Sequence, residues 1–236
     1  MQVAFYERTG PAADVLQRAE WPDPQPGPGE LRVRLRWSGI NPSDVKSRAG
    51  LRSNAMPFPR VVPHSDGMGV VDAVGEGVSA SRIGQRVWVW NAAWGRPFGT
   101  AAQAIVLPQA QAVPLADNVP DEAGACLGIP ALTALHAVLM TASSGASVAG
   151  QRVLVTGGAG AVGHYAVQMA RQLGAAQVIA STSTPEKAAI ARAAGADATV
   201  DYRQSDAADQ VRAATGGHGI DRVIDMDIAA NAALAL

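Results

Sequence analysis

The stretch Val153-Leu154-Val155-Thr156-Gly157-Gly158-Ala159-Gly160-Ala161-Val162-Gly163 carries the clearest chemical signal in the chain. Gly158, Gly160 and Gly163 stand at Gly-x-Gly-x-x-Gly spacing, between a run that reads as a strand and one that reads as a helix. Such a junction needs a tight turn, backbone that approaches a pyrophosphate closely, and a helix packed against its strand. A side chain obstructs each of these. The N–H groups at the helix start, those of Ala161 and Val162 included, then favour anionic phosphate. With 25 glycines in the chain the spacing alone means little. The strand–turn–helix setting favours a dinucleotide site over a glycine-rich turn without a ligand.

The next strand selects the dinucleotide. An NAD-binding unit usually places Asp or Glu about 20 residues further on, against the ribose hydroxyls. Here that strand ends Ile179-Ala180-Ser181-Thr182-Ser183-Thr184, with no acid. A carboxylate would repel the extra phosphate of NADP, whereas the hydroxyl of Ser181 and its neighbours suits it. Lys187, one turn into the following helix, adds a positive charge; the alternative is a merely solvated helix lysine. NADPH is expected over NADH.

The elements that position these residues fall into two compositions. Residues 1–120 hold 13 of the 15 prolines and all five tryptophans. Their short apolar runs, Val3–Tyr6, Leu31–Trp37, Met68–Val74, Arg86–Trp90 and Gln103–Leu107, read as strands separated by turn residues, with one short helix at Ser43–Arg48. From Asp121 the pattern changes to alternation. A long helix runs to about Met140 with a break near Pro130, followed by strand Arg152–Thr156, helix Ala161–Leu173, strand Gln177–Ser181 and helix Pro185–Ala194. Strand Ala198–Asp201, helix Asp206–Thr215 and strand Asp221–Met226 complete the pattern. This predicts an α/β protein: a β-barrel or sandwich domain over 1–120, then a parallel sheet with right-handed crossovers over 121–236.

Composition narrows the function classes. A chain of 236 residues, 48% hydrophobic and with formal net charge −1, is a globular protein and carries no electrostatic footprint for nucleic acid. One cysteine, Cys126, excludes an internal disulfide framework. No apolar run approaches the ~18 residues of a membrane span, and the N-terminus shows no basic start before an apolar stretch, so a cytoplasmic protein without membrane partners is expected. Cys126 reads as a small core residue, His136 and His164 as helix-surface or packing residues, and His218 as a turn residue. Trp88, Trp90 and Trp94 read as core packing, with an aromatic pocket as the alternative.

Several blocks carry a resemblance over the whole chain: Gly39-Ile40-Asn41-Pro42-Ser43-Asp44, Pro63-His64-Ser65-Asp66-Gly67-Met68-Gly69-Val70-Val71, Val74-Gly75-Glu76-Gly77-Val78, Gly84-Gln85-Arg86-Val87, Gly128-Ile129-Pro130-Ala131-Leu132-Thr133-Ala134, the glycine loop, and Val200-Asp201-Tyr202-Arg203. In order and spacing they resemble the zinc-free, zeta-crystallin-like quinone oxidoreductase branch of the medium-chain dehydrogenase/reductase superfamily. The resemblance implies a GroES-like N-terminal domain, a Rossmann-type cofactor domain with the active site between them, and a homodimer when complete. Lys187 and Tyr202 match positions that contact the adenosine 2′-phosphate, Thr133 a threonine beside the nicotinamide, and Asn41 the asparagine at the cleft floor. Gly158, Gly160 and Gly163 match the pyrophosphate loop. By the residues alone, Asn41-Pro42 is equally a turn and Thr133 a helix residue.

No metal is expected. Zinc-dependent relatives use a cysteine near Asn41 or Pro42 and a histidine where Ser65 stands, and His64 falls one residue early. The implied reaction is hydride transfer from NADPH to a quinone, or to the β-carbon of an activated alkene in the related enone, enal and enoyl-thioester reductases. Asn41 and nearby N–H groups would polarise the acceptor. Lys46 and Leu51 replace tyrosines found in several relatives, and Arg48, Arg52 and Arg60 are candidates for a basic cleft mouth. A non-catalytic, crystallin-like NADPH-binding protein is the alternative from another class. Relatives continue some 90 residues further, so a truncated chain with only the first half of the Rossmann sheet, in strand order 3-2-1-4, is expected, leaving the Asp221–Met226 edge bare.

Overall fold

The run Glu30-Leu31-Arg32-Val33-Arg34 alternates because one face of its strand is core and the other is not. Leu31 and Val33 are fully buried, whereas Arg32 and Arg34 both donate to the Asp72 carboxylate on the neighbouring strand, at 2.8 and 2.6 Å. The computed structural model describes residues 1–53, 55–140, 147–229 and 231, and the chain divides into two compact units, Met1–Ile129 and Pro130–Leu236.

The first unit holds β1 (Gln2–Phe5), α1 (Ala12–Val15), β2 (Gln17–Glu20), β3 (Glu30–Gly39), α2 (Pro42–Arg48), β4 (Asp66–Val74), β5 (Arg86–Val89), β6 (Ala104–Pro108), β7 (Ala112–Pro114) and α3 (Asp121–Gly124). β1 pairs with β2, and the other five form an antiparallel sheet in the order β6-β3-β4-β5-β7. Its core gathers Leu31, Val33, Val71, Val87, Val89, Ile105 and Leu107. Two strands, β2 and β7, are additions to the sequence reading.

Chain composition changes at residue 120, but the compact unit continues to Ile129. Ala125 packs with Met68 and Leu115, and Trp88, Val119 and Leu127 border that cluster, so the segment after Pro120 completes the first unit's core. The helix expected from Asp121 to about Met140 is accordingly divided. α3 ends at Gly124, and Leu127–Ala131 forms one widened turn around Pro130, which cannot donate a helical hydrogen bond.

The second unit holds α4 (Leu132–Leu139), β8 (Arg152–Val155), α5 (Ala161–Gln172), β9 (Gln177–Thr182), α6 (Pro185–Ala193), β10 (Ala198–Asp201), α7 (Ala207–Ala214) and β11 (Arg222–Ile224). The four strands are parallel in the order β10-β9-β8-β11, which is the expected 3-2-1-4. Apolar clusters lie on both faces of this sheet. Val153, Val155, Val178 and Ala180 pack with α5 through Ala166, Val167 and Ala170, while Leu154, Ile179 and Val200 pack with Val211 of α7. Strands covered on both faces explain the unbroken apolar runs Val153-Leu154-Val155 and Val178-Ile179-Ala180. All four carboxyl ends therefore open on one edge, where doubly wound sheets take their ligands.

Candidate functional site

At that edge the glycines of the loop divide by role. Gly157 turns the chain with φ +60°. A Cβ on Gly158 would sit 2.5 Å from the Ala180 Cβ, and one on Gly163 would overlap the Gly157 carbonyl oxygen, so both are needed for helix α5 to lie close on the sheet. Gly160 is different. Its φ of −78° and ψ of 169° suit any residue, and a Cβ there would meet only the Gly157 oxygen, at 3.1 Å. Folding asks less of Gly160 than of Gly158 or Gly163, because its Cβ would press on one oxygen by only a few tenths of an ångström; a ligand approaching the backbone would ask more.

Gly160 is also the N-cap of α5 and provides no capping side chain. The N–H groups of Ala161, Val162 and Gly163 have no carbonyl one turn below them and open at the positive end of a 12-residue helix. The loop is held in place from β9. Gly157 N–H donates to Ser181 Oγ at 3.2 Å and Gly158 N–H to the Ser181 carbonyl at 3.0 Å. This arrangement can receive an anionic diphosphate against backbone donors.

Ser181 is fully buried and its oxygen already accepts from the loop, so it positions the loop. The hydroxyl that meets Lys187 belongs to Ser183, which lies 3.1 Å from Lys187 Nζ. Thr184 caps α6 by accepting from Lys187 N–H at 3.3 Å, which orients the first turn of that helix. Because Asp201 pairs with Thr182, the exposed Tyr202 leaves β10 beside Ser183. Ser183, Lys187 and Tyr202 thus collect at one end of β9 and β10, and the nearest acid on β10, Asp201, is engaged by Arg203, which holds its carboxyl well below the usual range. Thr133 lies on an exposed face of α4.

In the first unit, Asn41 is buried at the N-terminus of α2. Its Nδ2 donates to Asp66 Oδ2 at 2.7 Å, and the Ile129 N–H donates to the same oxygen at 2.8 Å. The second oxygen, Oδ1, is buried without a hydrogen-bond partner. Burial raises the Asp66 carboxyl to about 6, against these two hydrogen bonds that lower it. The side of Asp66 is closed by Gly128, where a Cβ would overlap Oδ1. Asn41 is therefore anchored by a buried acid, and its backbone N–H is held by Asp44 at 2.8 Å.

A hydrogen-bonded line runs beside this anchor: His64 Nδ1 lies 2.8 Å from Ser38 Oγ, Ser38 Oγ 2.8 Å from Thr100 Oγ1, and Thr100 Oγ1 donates to the Asp66 carbonyl at 2.5 Å. Sequence reading weighs His64 only as a metal ligand and does not single out Ser38, Asp66 or Thr100. A carboxylate followed by Gly-Met-Gly-Val-Val in a buried strand is the available signal for Asp66. Among the described residues no three His, Cys, Asp or Glu side chains gather to hold a metal ion, so this donor set does not fit a catalytic zinc.

Other expectations change. Cys126 is exposed, whereas its neighbour Ala125 packs with Met68 and Leu115. The three tryptophans do not pack as a group. Trp88 borders the Met68 cluster, Trp90 Nε1 donates to the Ala110 carbonyl at 3.3 Å, and Trp94 is 77% exposed. Arg48 is committed to the Gly10 carbonyl and Arg60 to Glu7 and the faces of Phe5 and Trp21, which leaves Arg52 of the three beside a cavity. No described helix is long and apolar enough to cross a membrane.

Two family models match, an alcohol dehydrogenase GroES-like domain over residues 27–117 and a zinc-binding dehydrogenase over residues 161–235. A quinone oxidoreductase of Pseudomonas aeruginosa is 34% identical over 218 residues, which is 92% of this chain and 63% of that protein. Among solved structures, an NAD-dependent alcohol dehydrogenase superposes with TM-score 0.84 at 34% identity, covering 94% of this chain and 70% of that one. A quinone oxidoreductase from Thermus thermophilus, solved also in complex with NADPH, gives TM-score 0.75 at 29% identity, covering 94% and 65%. The chain thus spans less than two thirds of the length of the curated relative described. With a GroES-like unit followed by a parallel sheet that opens on a glycine loop, the chain belongs to the medium-chain dehydrogenase/reductase superfamily.

Proposed function

We propose that the protein is an NADPH-dependent quinone oxidoreductase. The observation that carries the reading is Gly160, a glycine that backbone conformation does not require and that packing crowds at one oxygen only, at the mouth of a helix whose first three N–H groups are open. The residues present fit a dinucleotide: Ala161, Val162 and Gly163 would hold the diphosphate through their backbone. Lys187 and Ser183, with Tyr202 beside them, would hold a 2′-phosphate that an acid at the end of β9 would repel. When bound, the nicotinamide supplies the hydride.

The protein's own groups bind and orient. Ser181 fixes the loop against β9, and Asp66 fixes the amide of Asn41 so that the α2 entry is preorganised. The quinone oxidoreductases among the relatives support the acceptor class. The test is oxidation of NADPH and NADH by the full chain with 1,2- and 1,4-quinones. Turnover with NADPH that exceeds NADH at equal concentration is expected. Preference for NADH, or turnover with enones and none with quinones, overturns the reading.

A further inference from the structure

The first unit contains a cavity of about 490 Å³, within the ~300–1,000 Å³ of small-molecule sites. His64, Asp44, Arg52, Phe58, Trp94 and Arg96 are in its wall. His64 is held there with φ +77°, a conformation that non-glycine residues adopt at a cost of about 1–3 kcal/mol. The line of hydroxyls behind it settles which ring nitrogen carries hydrogen. The Asp66 carbonyl can only accept, so the single Thr100 hydroxyl hydrogen is used there. Ser38 must then donate to Thr100, and His64 Nδ1 must donate to Ser38. In the neutral ring Nε2 is left with its lone pair, and no described residue bonds to it. Because the line ends on a peptide carbonyl, it orients the ring and carries no proton away.

We propose that this cavity binds a planar aromatic molecule bearing a phenolic or carbonyl oxygen, and that His64 Nε2 is the group that meets that oxygen and exchanges a proton with it. The aromatic walls Phe58 and Trp94 suit a flat ring, and the Arg52 guanidinium favours an oxygen that gains negative charge. On the quinone reading, on which the proton step rests, Nε2 of the neutral ring takes a proton from solvent and passes it to a hydroquinonate oxygen. The imidazolium N–H bond breaks, the O–H bond forms, the two charges cancel, and the ring is neutral again. Burial lowers the imidazole pKa from its ordinary value while the Asp44 carboxylate opposes this, so the resting ring is neutral near pH 7. Tyr6, Arg52 and Arg96 are the other charged or titratable groups of the cavity wall.

The experiment compares 1-naphthol with its isostere 1-methylnaphthalene, by calorimetric titration of the full chain and of His64→Gly, a change that relieves the positive φ. The naphthol-to-methylnaphthalene affinity ratio is expected to fall about two- to tenfold in His64→Gly, the worth of one neutral hydrogen bond, and to recover with added imidazole. The His64 Nε2 nitrogen-15 resonance should shift on naphthol binding in the wild type. An unchanged ratio with an unmoved resonance overturns the proposal. NADPH oxidation with 1,4-naphthoquinone separates the two readings. Turnover with an unchanged ratio sinks the His64 assignment alone. No turnover, with a ratio that depends on His64, sinks the quinone reading and leaves the binding site.

Discussion

Alanine placed at Gly160 and at Gly163 should give opposite outcomes, although the two positions are three residues apart in one motif. At Gly163 the new Cβ would lie 2.8 Å from the Gly157 carbonyl carbon and 3.0 Å from the Gly158 Cα, where ordinary carbon contacts need about 3.5–4.0 Å. Both neighbours are backbone, so the turn between β8 and α5 must open. Overpacking of this kind costs about 1–3 kcal/mol, offset in part by the roughly 0.4–1 kcal/mol gained when alanine restricts the unfolded chain. The net loss of about 1–2 kcal/mol lowers the thermal midpoint by some 2–8 °C. At Gly160 the single 3.1 Å contact is with an oxygen and the backbone already suits alanine, so the two terms cancel to within about 0.5 kcal/mol. Its Cβ would instead fill space in front of the open N–H groups, and NADPH affinity should drop at least about tenfold, or 1.4 kcal/mol. Circular-dichroism melting and NADPH titration of both variants check this. Should Gly160→Ala bind NADPH within twofold of wild type, or Gly163→Ala melt with it, the division of roles is wrong.

Lys187→Ala should weaken NADPH about tenfold and NADH by less than twofold in the same titration, since among the described residues its exposed ammonium is tied only to Ser183. Leu154→Ala, which empties a side chain 1% exposed between Ile179, Val200 and Val211, should cost about 2–5 kcal/mol in urea unfolding. Asp66 makes stability depend on pH with a definite sign. Its folded value, about 6, lies above its ordinary 3.8, so between these values the native state binds more protons than the unfolded one and stability falls as pH rises. The carboxyl is 1% exposed, and the full swing is about 3 kcal/mol. Asp66→Asn should flatten that slope in urea titrations between pH 4 and pH 7, and a slope equal to wild type would refute it.

The parallel sheet was legible in the sequence because its signals are local. Apolar runs bounded by glycine loops and capped helices lie in consecutive order, and right-handed crossovers then leave few topologies. The short strands β2 and β7 escaped for the same reason. Gln17-Arg18-Ala19-Glu20 has almost no apolar residue, and Ala112-Val113-Pro114 is too short to show a period. Cys126 was misread because a helix pattern taken as continuous to Met140 gave it an inward face that the break around Pro130 does not preserve.

The His64 site was illegible on different grounds. Its hydroxyl line joins residues 26, 62 and 34 positions apart, and the Asp66 carboxyl reaches Ile129 across 63. No window of sequence contains such a set. What makes the set coherent is β4, where Asp66 carries two functions through two different groups. Its side chain anchors Asn41 and the Ile129 backbone, and its carbonyl terminates the line that orients His64. Replacing Asp66 by asparagine alters only the first of these, because the backbone carbonyl remains. Asp66→Asn should therefore perturb stability against pH while leaving the naphthol preference of the cavity in place, whereas Thr100→Val should remove the preference and leave the pH slope. If both variants changed both properties, the two networks would be one, and the separate roles assigned to Asp66 and His64 would fail together.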